Sequence, residues 1–244
     1  MPHPSKKVSL VTGANKGIGL EIARELGKAG QTVFLGARNP GLGRDATEKL
    51  RAENLDVHYV ELDLARPETI NATAATIKAH GQKLDVLVNN AGIVDPSDGP
   101  PSSASLDAVR RTFETNFLGP LAVTQIMLPL LREAPDARIV NVSSGLGSLT
   151  LNGDPDWEFA GAKYLGYNGS KAALNMLTVQ LAFELRDTGI KVNSADPGFT
   201  ATDLNGNQGY QSIAEGAAEA VRLALLPPDG PTGGFFETAG PRPW

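Results

Sequence analysis

The 244-residue sequence contains no cysteine. That absence excludes a disulfide framework, a thiolate metal site and a cysteine nucleophile together. Histidine is scarce as well: His3, His58 and His80 are the only three, and none stands at the spacing of a zinc-binding HExxH helix. No metal site is expected. A Ser-His-Asp hydrolase is disfavoured by position, since His58 falls near the start of a strand-like segment and His80 at the end of a helical one. Positive charge is not in excess: 22 Lys and Arg against 27 Asp and Glu leave a net charge of −5. Broad phosphate-backbone binding needs a clustered basic surface, so no nucleic-acid partner is expected. No apolar run reaches the length of a membrane span, and the first ten residues lack the core of a signal peptide. A cytoplasmic protein without a membrane partner is the expectation.

What the chain does have is alternation. Strand-like runs at Lys7–Val11, Thr32–Gly36, Val57–Leu62, Leu84–Val88, Ala137–Val142, Lys191–Ser194 and Gly234–Glu237 are separated by helical stretches. The helical stretches are Ile18–Ala29, Leu42–Glu53, Pro67–Ala79, Leu106–Arg132, Tyr167–Arg186 and Ile213–Leu225. In the first of them Ile18, Ile22 and Leu26 recur every four residues, and Gly30 ends it. Continuously apolar strands imply burial on both faces, hence a parallel sheet covered by helices. Right-handed crossovers then give a single-domain α/β fold: a Rossmann-type, doubly wound parallel sheet of about seven strands with helices on both faces. Pro- and Gly-rich pieces at Asp95–Ser103, Leu151–Gly161 and Leu226–Gly234 read as loops, and no linker divides the chain, so residues 1–244 read as one domain.

Between the first strand and first helix lies Thr12-Gly13-Ala14-Asn15-Lys16-Gly17-Ile18-Gly19. Glycines permit the tight turn, and the helix N-terminus offers unpaired N–H groups to a pyrophosphate. Such loops also serve as plain turns; the placement after a strand and before a helix favours nucleotide binding. The second strand ends in Ala37-Arg38-Asn39, with no carboxylate to accept from a ribose 2′-hydroxyl. Arg38 suits a 2′-phosphate instead, and Lys16 adds a second positive charge, so NADP(H) is the expected cofactor.

Further along, Tyr167 and Lys171 stand four apart in a helical stretch and so share a face. A free tyrosine has a pKa of about 10, and a neighbouring ammonium is expected to lower it, making an acid–base pair. YxxxK alone is common. Its partners are the strand-end Ser143-Ser144, Asn89-Asn90-Ala91-Gly92 after the fourth strand, and Asn116-Phe117-Leu118-Gly119, which places a buried-type polar residue within a long helix. Strand C-termini are where open α/β sheets bind ligands.

In this order, with Asp63-Leu64 after the third strand and Pro197-Gly198 after the sixth, the motifs resemble those of the short-chain dehydrogenase/reductase family, over nearly the whole of Val8 to Glu237. The glycine loop and Arg38 are similar to its NADPH-dependent carbonyl reductase branch. The resemblance implies catalytic roles for Asn116, Ser144, Tyr167 and Lys171. Tyr167 would protonate the substrate oxygen, Ser144 would hold it, Lys171 would bind the nicotinamide ribose, and Asn116 would hold a relay water. It implies cofactor contacts at Gly13, Asn15, Lys16, Gly17, Ile18, Gly19, Arg38, Asp63, Leu64, Asn89, Ala91, Gly92, Pro197, Gly198, Thr200 and Thr202, besides Tyr167 and Lys171. The partner would be a small-molecule carbonyl substrate; monomer and homo-oligomer stay open. Two departures stand out. The stretch from Ser144 to Tyr167 is longer than usual, and either borders the active-site mouth through Trp157 or Phe159 or is a solvated acidic loop. Tyr164, seven residues before Lys171, matches the spacing of divergent enoyl reductases, an alternative function alongside a non-catalytic NADP(H) sensor.

Overall fold

The computed structural model describes residues 6–81 and 83–244; His3 lies outside them. Eight strands form one sheet: β1 (Val8–Thr12), β2 (Thr32–Ala37), β3 (Val57–Glu61), β4 (Val86–Asn89), β5 (Arg138–Val142), β6 (Lys191–Ala195), β7 (Phe235–Glu237) and β8 (Gly240–Pro241). Their order is β3-β2-β1-β4-β5-β6-β7-β8. All neighbours run parallel except the β7–β8 hairpin. The helices are α1 (Gly17–Lys28), α2 (Pro40–Ala52), α3 (Pro67–Gly81), α4 (Leu106–Phe113), α5 (Gly119–Arg132), α6 (Leu149–Gly153), α7 (Leu165–Glu184) and α8 (Ile213–Ala224).

Side chains alternate across the strands and supply two cores. Leu10, Phe34, Val60, Leu87, Ile139 and Val192 pack under α3, α5 and α7 through Ile70, Ile77, Val123, Met127 and Leu181. Val11, Val33, Leu35, Val88, Val140 and Ala195 pack under α1, α2 and α8 through Ile22, Leu26, Leu50, Ala220 and Leu223. Double-sided burial is why the strands read as unbroken apolar runs. The strand order reverses between β1 and β4, and the crevice at their C-terminal ends is the ligand position of such sheets.

Three expectations need correction. Leu106–Arg132 is not one α-helix: α4 and α5 are joined by a π-helical turn, Glu114–Leu118, in which the Gly119 N–H donates to the Glu114 carbonyl five residues back. The 151–161 segment is not loop throughout, since its first residues belong to α6, capped by Ser148. The chain adds β8, a two-residue antiparallel strand too short to show periodicity. Among the described residues no helix is long and apolar enough to cross a membrane.

Candidate active site

The ends of β1 and β4 are sewn together by two side chains. Thr12 Oγ1 accepts from the N–H groups of Asn90 (3.0 Å) and Ala91 (3.1 Å), while Asn90 Nδ2 donates to the carbonyls of Thr12 (2.9 Å) and Gly13 (3.2 Å). The Ala14 N–H donates to the Gly36 carbonyl at 3.0 Å, tying the glycine loop to β2 two residues before Arg38. α1 then begins with no side-chain cap and no acidic residue in its first turn. Its leading N–H groups and partial positive charge are thus left for an anion. Arg38 is exposed, and no carboxylate pairs with it among the described residues. These donors fit a phosphorylated dinucleotide. Lys16, by contrast, pairs with Asp203 at 2.6 Å, a bridge between glycine loop and the turn after Thr202.

The catalytic candidates converge from four elements. α7 buries Tyr167, Ser170, Lys171, Leu174 and Thr178, a stripe at helical spacing. Its N-terminus is held by Asp98, whose carboxylate accepts from the N–H groups of Gly166 (2.9 Å) and Tyr167 (2.8 Å). Sequence reasoning missed Asp98, Thr12 and Asn90 as organisers. Asp98 sits in an irregular loop; Thr12 and Asn90 were visible only as parts of motifs. Lys171 Nζ donates to the Val142 carbonyl at 2.7 Å and lies 5.7 Å from the Tyr167 ring centre. A Cβ placed at Gly92 would lie 3.4 Å from Asn116 Oδ1 and 3.5 Å from Lys171 Nζ, so the β4 loop, the π-turn and α7 meet at one point. Ser144 is half-buried and accepts from the Leu146 N–H, whereas Ser143 is sealed in the sheet at 1% exposure. The accessible serine is therefore Ser144.

Burial pushes the Tyr167 phenol up to about 12; its interaction with the Ser144 hydroxyl opposes the rise and the Asp196 carboxylate adds to it. The Lys171 ammonium is turned toward Val142, and burial, not a neighbouring cation, sets the direction of the phenol's shift. Burial pulls Lys171 down to about 8, against the supporting charge of Asp196.

The remaining candidates are placed as follows. Asn89 is 1% exposed and donates to Thr124 Oγ1 (3.1 Å) and Asn141 Oδ1 (2.9 Å), at the head of a buried chain running through Thr178 to Ser194. Its side chain secures the sheet, and Asn90 takes the place beside the glycine loop. Asn116 is fully buried: Oδ1 accepts from the Ile93 N–H (2.8 Å), and Nδ2 donates to the Ile93 carbonyl (2.9 Å) and Ser170 Oγ (3.1 Å). Its amide holds strand loop to helix. Asp63 Oδ1 accepts from the Ala65 N–H, and Leu64 packs against Gly119. Asn15 and Ile18 are half-buried in the glycine loop. Pro197 and Gly198 continue β6 at the same sheet edge; Thr200 is buried and donates to the Pro197 carbonyl, and the Thr202 N–H donates to Asn205 Oδ1.

The insertion does reach the mouth. A Cβ at Gly145, next to Ser144, would lie 3.4 Å from the Trp157 ring. Trp157, Phe159, Phe199 and Tyr210 follow one another with ring centres 5.5–5.7 Å apart. Tyr164 lies elsewhere: it is 43% exposed and lines a surface depression with Pro101, Leu149 and Ala172.

A doubly wound sheet with this loop at its switch point and a serine, tyrosine and lysine gathered at its open edge defines a nucleotide-dependent oxidoreductase. More narrowly, the model of the short chain dehydrogenase family matches residues 7–212, and the chain belongs to that family. It is 37% identical over 231 residues to a short-chain dehydrogenase of Penicillium roqueforti, spanning 92% of this chain and 90% of the relative. Carbonyl reductase (NADPH) 1 of Mus musculus is 34% identical over 279 residues, spanning 98% and 99%. NADPH-bound carbonyl reductase from chicken fatty liver superposes with a TM-score of 0.84 at 30% identity, over 98% of this chain and 99% of that one.

Proposed function

We propose that the chain, one catalytic domain over residues 1–244, reduces the carbonyl group of a small organic molecule (a ketone, aldehyde or quinone) to an alcohol at the expense of NADPH. The observation that carries this reading is the meeting of Ser144, Tyr167 and Lys171 beside a glycine loop prepared for an anion. When bound, the reduced nicotinamide supplies the hydride to the carbonyl carbon. The chain supplies the rest. The Ser144 hydroxyl donates to the substrate oxygen and stabilises the charge that grows there. Tyr167, which holds its proton throughout the neutral range, gives it to that oxygen as general acid. Lys171 binds the nicotinamide ribose, and its charge favours departure of the tyrosine proton at the moment of transfer. Asn116 fastens Ile93 to Ser170 and so fixes α7 against the loop that borders the cofactor. The murine and avian relatives, both NADPH carbonyl reductases, support the same reading. Because each step is reversible, the same groups run the oxidation.

The test is NADPH consumption over a panel of ketones, aldehydes and quinones, with NADH in parallel. Turnover is expected with NADPH; tight NADPH binding with no turnover on any carbonyl would sink the proposal. Arg38 carries the choice of cofactor. Arg38→Glu is expected to raise KM for NADPH roughly 10–100-fold, the worth of a charge-assisted hydrogen bond to phosphate, and to leave KM for NADH nearly unchanged. An unaltered preference would remove Arg38 from cofactor selection. Trp157→Ala is expected to change the ranking of bulky against small carbonyls while kcat for the smallest aldehyde stays within about threefold. An unchanged ranking would take the insertion out of the pocket.

A further inference from the structure

The proton donor of that mechanism stands where a helix is least secure. Tyr167 is in the first turn of α7, whose N–H groups find no partners within the helix and which frays before the rest. Tyr164, at the N-cap, makes no side-chain hydrogen bond to it. The acceptors come instead from the loop after β4. The Leu165 N–H donates to the Gly99 carbonyl at 2.9 Å, the Gly166 N–H to Asp98 Oδ1 at 2.9 Å and the Tyr167 N–H to Asp98 Oδ2 at 2.8 Å. Glycine at position 166 makes room for this approach: a Cβ there would lie 3.0 Å from Asp98 Oδ2 and 3.1 Å from Val109 Cα of α4. The loop is itself fastened. The Asp98 N–H donates to the Asp95 carbonyl at 3.0 Å, and Asp95 Oδ2 accepts from Arg111 Nε of α4 at 2.8 Å. Asn116 holds Ile93, nearer the strand, by both its N–H and its carbonyl.

We infer that Asp98 is a positioning residue for the reduction: its carboxylate, carried by an anchored loop, fixes the backbone of Tyr167 and with it the place from which the phenol gives its proton. The inference rests on the reductase reading above. Lys171, one turn further on, has its own hold on the Val142 carbonyl, and the Tyr167 carbonyl accepts from Ser170 Oγ at 2.8 Å. The amide side of Tyr167 is the part that depends on Asp98. Its negative charge also suits the positive end of α7. Misplacing a reacting group by about 1 Å costs up to about 10²-fold in rate, whereas a lost cap costs a domain little stability. The two effects can therefore be told apart.

The experiment measures kcat for 4-nitrobenzaldehyde at saturating NADPH, KM for NADPH and thermal melts, in Asp98→Ala and in Ser212→Ala. Ser212 is the comparison: it caps α8 by accepting from the Glu215 N–H and has no role in the mechanism above. Each variant loses one helix cap and is expected to melt about 2–4 °C lower. Only Asp98→Ala is expected to lose kcat, by about 10–100-fold, with KM for NADPH within about threefold of the wild type. Asp98→Asn keeps one acceptor oxygen, so its kcat should fall between those of Asp98→Ala and the wild type. Amide exchange reads the tether directly: the start of α7 should lose protection in Asp98→Ala and keep it in Ser212→Ala. Should Asp98→Ala fail to fold, Asp98→Asn decides by the same comparison. A kcat of Asp98→Ala within threefold of the wild type, or a loss that Ser212→Ala shares, overturns the inference. Tyr167→Phe, run in parallel, separates the two readings. Activity retained there removes the reductase mechanism itself, whereas an inactive Tyr167→Phe beside a fully active Asp98→Ala removes only the role of Asp98.

Discussion

Tyr167→Phe is expected to lower kcat for carbonyl reduction by about 10²–10⁴-fold, the usual worth of a positioned general acid. The side chain is 8% exposed on the buried stripe of α7. Phenylalanine fills the same volume, so no cavity opens and the helix keeps its contacts. What disappears is a hydroxyl group, leaving the Ser144 hydroxyl as the one polar contact for the substrate oxygen. Hydride arrival would then build an alkoxide with no nearby proton. Affinity for NADPH, read by fluorescence titration, should stay within about threefold, because Lys171 and the glycine loop are untouched. The combination of lost turnover and retained binding is the signature. A variant that still turns over within tenfold of the wild type would mean that protonation comes from water or another group, and the proposed mechanism would fall. Adding back bulk does not help: Tyr164 is exposed on the other side of the helix start and cannot substitute.

The parts of this site that could be read from the sequence are those whose chemistry is local. The glycine loop, Arg38 after β2, and the Tyr167–Lys171 spacing each depend on one element and its end. Their element types follow from periodicity alone, and the structure moves their ends by one or two residues. The π-turn at Asn116 was half legible. An asparagine in an apolar helical stretch signalled an interruption, but five-residue hydrogen-bond closure depends on Ile93 and Ser170, which are distant in sequence. The exchange of duties between Asn89 and Asn90 was illegible for a similar reason. Strand alternation sends the first to one face and the second beyond the sheet edge, and only the register with Asn141 on β5 shows which one is buried. Asp196 and Arg242 come together through a two-residue strand that no periodicity can reveal. The pKa of Tyr167 escaped for a different cause. A neighbouring lysine is visible in sequence, whereas the desolvation that raises the phenol belongs to the whole packed site.

Gly13→Ala is expected to destabilise the fold by about 2–5 kcal/mol, and Gly17→Ala, four residues away in the same loop, by no more than about 2. Both glycines have positive φ, 63° and 57°, so an alanine at either position bears a left-handed strain of roughly 1–2 kcal/mol. The difference lies in what surrounds them. A Cβ at Gly13 would fall 2.8 Å from Ala91 Cα and 2.9 Å from Ala91 Cβ. That is backbone held by Thr12 Oγ1, and it cannot yield without parting β1 from β4. A Cβ at Gly17 meets nothing within 4 Å. In a domain of this size about 2–4 °C of melting temperature corresponds to each kcal/mol, so Gly13→Ala should melt some 5–15 °C lower and Gly17→Ala only a few degrees lower. Binding should sort the other way once stability is allowed for. The open space over Gly17 stands at the uncapped start of α1, where a phosphate must approach the backbone closely, and a methyl group there keeps it away. NADPH affinity of Gly17→Ala should therefore fall more than about tenfold in a protein that remains folded. Equal melting losses in the two variants would show that crowding against Ala91 is relieved elsewhere. Unimpaired NADPH binding by Gly17→Ala would move the pyrophosphate away from this helix start, and the emptiness around Gly17 would then need another reason.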